Sequence, residues 1–156
     1  MSHTVRPASP ADAGSLAAID VNVNINPWNE RQFASVCSGN NAHTQFAIVV
    51  DEDGRVDGFI VCSQVLDEAS IYSIGVHSAR QGEGLGHLLL KAALVKMRDA
   101  GAIRCLLEVR QSNAVARQFY QGTGFEHDGI RKSYYPTEGG REDALLMSRC
   151  LLRDLE

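Results

Sequence analysis

What this chain lacks narrows its class before any motif is read. No apolar run approaches the ~18 residues of a membrane span. Met1-Ser2-His3-Thr4-Val5-Arg6 has no hydrophobic stretch of the kind a secretion signal carries. The four cysteines, Cys37, Cys62, Cys105 and Cys150, include no C-x-x-C pair and no disulfide-framework spacing. The five histidines offer no H-x-x-x-H or comparable ligand spacing. Buried reduced thiols and no metal are therefore expected. Positive charge is scarce as well: 15 basic against 19 acidic residues leave a net charge of −4. A nucleic-acid binder usually carries a basic field, whereas a basic peptide or an amine suits this balance. Repeats, low-complexity tracts and linkers are missing. The expectation is a cytoplasmic protein with neither a membrane nor a nucleic-acid partner.

What is present points to one folded unit. At ~100–200 residues per domain, 156 residues make a single domain spanning 1–156, able to form one sizeable core. Hydrophobic residues at 44% and charged residues at 22% disfavour disordered and fibrous classes. Ser9-Pro10-Ala11-Asp12 reads as a helix start, with Leu16, Ile19 and Val23 following at helical spacing before an end between Asn22 and Pro27. Asn29-Glu30-Arg31-Gln32 offers a second cap ahead of Phe33 and Val36. Residues 45–50 and 56–65 form a hairpin about Asp51-Glu52-Asp53-Gly54, and 69–76 completes a meander. A loop with three glycines leads to a helix over 85–100, which Gly101 stops. A short strand at 105–109 precedes a helix over 114–121, capped by Ser112 or Asn113 and stopped by Gly122 and Gly124. Strands near 126–134 and 142–151 flank a Pro/Gly loop. The order β-α-α-β-β-β-α-β-α-β-β predicts an α/β fold: a mixed, mostly antiparallel sheet with helices on both faces.

Gln81-Gly82-Glu83-Gly84-Leu85-Gly86 joins a strand to a helix. Glycines let successive N–H groups turn into one concavity, and a helix N-terminus adds positive potential there. Such a nest binds a phosphate or diphosphate; a merely flexible turn is the plain alternative. No Gly-Lys-Ser/Thr follows, so it is not a P-loop. The third glycine comes too early for the dinucleotide fingerprint. Glu83 would repel phosphates unless it turns away.

At a strand–helix junction, Gln81-x-x-Gly84-x-Gly86 resembles the acetyl-CoA signature of the GNAT N-acetyltransferases, and Ile74-Gly75-Val76 resembles the strand end that holds the acetyl group in that family. Leu107-Glu108-Val109-Arg110-x-Ser112-Asn113-x-x-Ala116-x-x-Phe119-Tyr120-x-x-x-Gly124-Phe125 is similar to the branch acting on protein N-termini. Tyr134-Tyr135-Pro136, then Gly140-Arg141-Glu142-Asp143-Ala144, together with Pro27-Trp28-x-Glu30, resemble the RimI-type ribosomal-protein-alanine N-acetyltransferases. The likeness runs from about residue 16 to 150.

Acetyl transfer from a thioester needs a neutral amine, and an α-amine (pKa about 7.7–8.0) yields its proton far more readily than lysine (about 10.4). Glu108 sits at the C-terminal end of a strand, where α/β ligands tend to bind. It reads as a proton acceptor or as a structural partner of Arg110 or Arg104; the resemblance implies the acceptor. Tyr120 by itself reads as a core residue among Val115, Phe119 and Phe125, and the resemblance implies a proton donor to a leaving thiolate. The resemblance further implies acetyl-CoA as cosubstrate. Ile74, Gly75 and Val76 would line the acetyl group, with the Val76 N–H on the thioester carbonyl. Gln81, Gly82, Glu83, Gly84, Leu85, Gly86 and His87 would form the diphosphate loop, and Asn113 would bond the pantetheine arm or only cap its helix. Trp28, Tyr134, Tyr135 and Arg141 would wall an acceptor groove; packing of the tyrosine pair and a solvated strand start at Arg141 are the alternatives. The implied acceptor is the N-terminal peptide of a protein, an alanine-starting ribosomal one by resemblance. Rival readings are a lysine or small-amine acetyltransferase of the same fold, a non-catalytic CoA-binding regulator and a nucleotide-binding module.

Overall fold

The computed structural model describes residues 3–38 and 44–152; the expected domain limits, 1 and 156, lie outside them. Strand β1 (Thr4–Pro7) and a short 3-10 turn (Pro10–Asp12) lead into helices α1 (Ala13–Val23) and α2 (Glu30–Cys37). Strands β2 (Gln45–Glu52), β3 (Arg55–Val65) and β4 (Glu68–Val76) follow. After a second 3-10 turn (Ser78–Arg80) come α3 (Leu85–Asp99), β5 (Arg104–Arg110), α4 (Ala114–Gly122), β6 (Glu126–Thr137) and β7 (Gly140–Cys150). The element order is the expected one. The strands form one seven-stranded sheet in the order β1-β2-β3-β4-β5-β7-β6. Among the described residues only β4 and β5 run parallel.

Local chemistry explains the element ends. Asp12 accepts the Ser9 N–H at 2.8 Å and both arms of the Arg6 guanidinium at 2.9 and 3.0 Å, which ties β1 to the start of α1. Asn29 and Gln32 exchange side-chain-to-backbone bonds, both at 2.9 Å, and so start α2 with a reciprocal cap. Asp53 and Gly54 both take positive φ, 53° and 86°, the mirror-image turn that matches strand twist. One expectation changes. The segment read as a Pro/Gly loop is mostly strand, because β6 continues to Thr137 and Pro136 pairs with Arg141. β6 is the sheet's outer edge, where a missing proline N–H costs no ladder bond.

Strict alternation assigns the two faces. Ala47, Val49, Phe59 and Val61 face α1 and α2, meeting Leu16, Ile19, Phe33 and Val36. Ile48, Val50, Ile60 and Cys62 face α3, meeting Leu89, Leu90, Ala93, Leu94 and Met97. With both faces covered, β2 and β3 read as nearly continuous apolar runs. Cys62 and Cys105 are buried, Cys37 and Cys150 are half-buried, and all four thiols are free. Among the described residues no helix is long and apolar enough to cross a membrane.

Two irregularities shape the sheet's centre. In β4, Ile71 pairs with Cys62 but Ser73 pairs with Val61, so Tyr72 is an extra residue. Beyond it Ile74 and Val76 pack with the α3-side core, while Gly75 turns to the α1 side. A Cβ at Gly75 would lie 2.7 Å from the buried Phe59 ring and 3.1 Å from Val23. The second irregularity is between β4 and β5. They pair only at Glu68–Arg104, Ala69–Cys105 and Ser70–Leu106, after which residues 71–76 and 107–110 run on without each other.

Asp57, in β3, anchors the segment that follows β4. Its side chain is 1% exposed and accepts Arg55 Nε at 2.9 Å, with His3 Nε2 at 3.3 Å and Arg80 Nε at 3.8 Å. Its carbonyl accepts the His77 N–H at 2.7 Å. The Arg55 hydrogen bond, with the Arg55 charge, His3 and Arg80 adding to it against the effect of burial, holds this carboxyl below the usual carboxylate range.

Two outcomes are expected. Gly75→Ala forces the methyl against Phe59 and lowers stability by about 1–3 kcal/mol, which thermal melts read at roughly 2–4 °C per kcal/mol. Asp57 has a depressed folded pKa, so its stabilising effect is present above the unfolded value and is lost as pH falls through the folded one. Asp57→Asn is therefore less stable than the parent at neutral pH, and urea titrations show the gap closing below about pH 4.

Candidate active site

Where β4 and β5 separate, their facing backbone groups have no ladder partner, and the gap opens toward the N-terminus of α3. The His77 N–H is committed to β3. N–H directions alternate along a strand, so the Val76 N–H points the other way, into the gap. The Gln81 side chain donates to the Val76 carbonyl at 3.1 Å, which fixes the loop to the strand end.

The glycine loop has the geometry of a nest. Gly82 and Gly84 take φ of 85° and 83°, and a Cβ at either would meet nothing within 4 Å. Glycine is there for the backbone conformation, not for space. Gly84 caps α3, and the first-turn amides of Leu85, Gly86 and His87 precede the helical ladder. Glu83 is turned onto Arg80, 3.7 Å away, which takes up its charge. The Gly86 Cα lies against Phe119, whose ring is 4.8 Å from His87. This concavity of amides at a helix N-terminus fits a diphosphate.

Tyr120 and Glu108 belong to opposite faces of the sheet. Tyr120 packs with Leu107 and Val109 in the α3-side core and makes edge contacts with Phe119 and Phe125 at 5.2 and 5.4 Å. Burial, with the neighbouring Cys62 and Cys105 adding to it, pushes its phenol well above the usual tyrosine range. Glu108 lies between Leu107 and Val109 and alternates to the α1 side, where it is 30% exposed. The two groups can act on one ligand only through the gap between β4 and β5. The partner of Glu108 is not Arg110 or Arg104 but Arg131 of β6, at 3.2 Å. Sequence distance hid this pair: β7 lies between β5 and β6 and aligns Arg110, Ala144 and Arg131 across three strands.

The remaining predicted residues gather on the α1 side or at the helix ends. Tyr134 and Tyr135 meet edge to face at 5.0 Å; Arg131 stacks on Tyr134 at 4.6 Å and Arg110 on Tyr135 at 4.5 Å. Glu142 braces this group by accepting from Arg110 at 2.9 Å and from the Ser112 N–H at 3.2 Å. Trp28 packs on Phe33 at 5.4 Å, and its backbone N–H donates to the buried Asp20 at 2.8 Å. Asn24 also bonds Asp20 and reaches Ser73 of β4 at 3.4 Å. Asp20 thus pins the loop between α1 and α2 beside the gap. Asn113 caps α4 by accepting the Ala116 N–H at 3.1 Å. Arg141 donates to the carbonyls of Ser133 and Tyr134. Sequence reasoning missed Asp20 and Arg131, and gave Asp143 no role of its own. Asp20 left one signal, an acid on the apolar stripe of α1; Arg131 left none, and Asp143 stood inside the Gly140-Arg141-Glu142-Asp143-Ala144 motif. Elsewhere His3, Glu52 and Asp57 bring three ligand-type atoms within 4.8 Å, but Arg55 and Arg80 already pair with both carboxylates.

A parallel strand pair that parts beside an amide-lined helix N-terminus defines a class. The acetyltransferase (GNAT) family model matches residues 15–125, and the chain belongs to that family. It is similar to the ribosomal protein bS18-alanine N-acetyltransferase of Escherichia coli (strain K12), at 34% identity over 94% of this chain and 96% of that one. The crystal structure of that Escherichia coli enzyme superposes with a TM-score of 0.86, covering 96% of this chain and 94% of the other at 33% identity. Ard1 from Thermoplasma volcanium gives a TM-score of 0.85 at 27% identity, covering 98% and 100%. Arabidopsis thaliana NAA60, crystallised in complex with acetyl-CoA, shares the fold at a TM-score of 0.84 and 17% identity, covering 97% and 100%.

Proposed function

We propose that this chain, working as one N-acetyltransferase domain, moves an acetyl group from acetyl-CoA to the α-amino group of a protein N-terminus, the acceptor being the N-terminal alanine of a small-subunit ribosomal protein. The observation that carries the reading is the placement of Glu108 and Tyr120 on opposite faces of the sheet, with the parted strands between them. The acceptor class follows from the relatives that match nearly the whole chain. It also agrees with an acidic protein meeting a cationic terminus.

Acetyl-CoA, when bound, supplies the activated acetyl thioester. The amides of residues 82–87 would hold its diphosphate, Ile74 and Gly75 would line the acetyl group, and the Val76 N–H would donate to the thioester carbonyl. Asn113, whose Oδ1 serves the cap, keeps its amide N–H groups for the pantetheine arm. On the α1 side Glu108 receives the proton of the incoming ammonium. Its Arg131 partner is half exposed, and such pairs are worth about 0–1 kcal/mol, so an ammonium displaces it at little cost. Only a small driving force is needed, because an α-amine is far less basic than a lysine side chain. On the other face Tyr120 keeps its phenol proton through neutral pH and can pass it to a departing thiolate. Trp28, Tyr134 and Tyr135 wall the entry for the first acceptor residues.

Glu108→Gln is expected to slow turnover roughly 10²–10⁴-fold while calorimetry shows unchanged acetyl-CoA binding; a turnover number within about threefold of the parent removes Glu108 from this role. Gly84→Ala places a side chain at positive φ, a strain of about 1–3 kcal/mol, and is expected to weaken acetyl-CoA binding in the same titration. An alanine-starting peptide should be acetylated, whereas its N-blocked, lysine-containing version should not; mass spectrometry distinguishes the two products.

A further inference from the structure

The hairpin of β6 and β7 carries a deformation that the reaction as described does not use. Arg131 pairs with Ala144 and Tyr135 pairs with Glu142. Lys132, Ser133 and Tyr134 therefore all face the single residue Asp143. Two surplus residues are crowded into β6, and Ser133 takes φ of 52°, a left-handed conformation that a non-glycine residue adopts only when its surroundings impose it. A bulge this large strips backbone groups of their ladder partners.

Two side chains of β7 take those groups up. Asp143 Oδ1 accepts the Ser133 N–H at 2.9 Å. Arg141 donates through Nε to the Ser133 carbonyl at 2.7 Å and through Nη2 to the Tyr134 carbonyl at 2.9 Å. Bonds to charged groups are the strong kind, and they flank the bulge from both sides of Glu142. The segment so held carries Arg131, which meets Glu108 at 3.2 Å, and Tyr134, on which Arg131 stacks. Neither Arg141 nor Asp143 has Glu108 among its bonding partners. Both act on the backbone that positions Arg131, the partner of Glu108, and Tyr134, on which Arg131 stacks.

We infer that Arg141 and Asp143 are positioning residues for the acceptor: a side-chain clamp that imposes the β6 bulge and thereby sets Arg131 against Glu108 with Tyr134 stacked on it. This rests on the function proposed above and reassigns Arg141 from the groove wall to the frame behind it. An arginine–aspartate clamp on three backbone groups should tune acceptor recognition without touching the glycine loop. A groove-wall arginine would instead act alone, with no share for Asp143.

Steady-state kinetics on the full chain, with an alanine-starting peptide and acetyl-CoA varied separately, test this. Arg141→Ala and Asp143→Ala should each raise the acceptor KM about 10–100-fold, with the KM for acetyl-CoA unchanged. Asp143→Asn, which keeps an oxygen for the Ser133 N–H, should recover most of the loss, and Arg141→Lys part of it. The double alanine variant should be no worse than the poorer single one, because both break the same device. Amide exchange at Ser133 should quicken in Asp143→Ala. Unchanged acceptor KM values, strictly additive losses, or both KM values rising together would overturn the inference. A parent chain with no activity on any α-amine peptide sinks the proposed function first, and is told apart from these outcomes by that inactivity.

Discussion

The parting of β4 from β5 after Ser70 and Leu106 is the constraint on which the rest depends. A sheet interior normally satisfies every backbone group, and a buried group left without a partner costs about 1–3 kcal/mol. Two central strands that separate therefore leave a slot that wants a ligand with its own donors and acceptors. The extra residue at Tyr72 bends β4 into that course, and the Phe59 ring fills the place a side chain at Gly75 would occupy. The slot is thus built by covered, well-packed strands and does not depend on a flexible loop. Its mouth faces the positive end of α3, which suits a phosphorylated carrier threaded between the strands.

Facing differences divide the labour. The α3 side of the slot is dry and aromatic, and its phenol holds its proton because burial makes the phenolate costly. The α1 side is wetter and charged. Glu108 there shares Arg131 with a frame of stacked arginines and tyrosines, and Asp20 holds the opposite wall through Trp28 and Asn24. In the proposed reaction the amine enters on the second side and the thiol departs on the first, so the sheet keeps the two proton tasks apart.

Several polar residues that look like surface decoration in the sequence serve as struts. Asp57 links Arg55, His3 and Arg80 and so fixes the start of the glycine loop. Glu142 docks the β6–β7 hairpin on Arg110 and Ser112. Arg80 neutralises Glu83, which removes the one objection that the loop's composition raises against an anion.

Local rules account for much of this chain. The caps at Ser9-Asp12 and Asn29, the apolar periods of α1 and α3, the hairpin at Asp53-Gly54 and the glycines at 82 and 84 all follow from near-neighbour chemistry, and with them the element order. Glu108 and Tyr120 were legible as candidates because their motifs are local and resemble a known family. Which face each occupies, where the strands part, and that Arg131 is the carboxylate's companion all come from the folded arrangement. Those depend on register: where a ladder stops, where an extra residue enters, and which strand intervenes between β5 and β6. Register is fixed by pairing between distant segments, so periodicity along one segment carries no record of it. For the same reason the Pro136 segment read as a loop, and an arginine and an aspartate two residues apart gave no sign that they clamp the strand beside them.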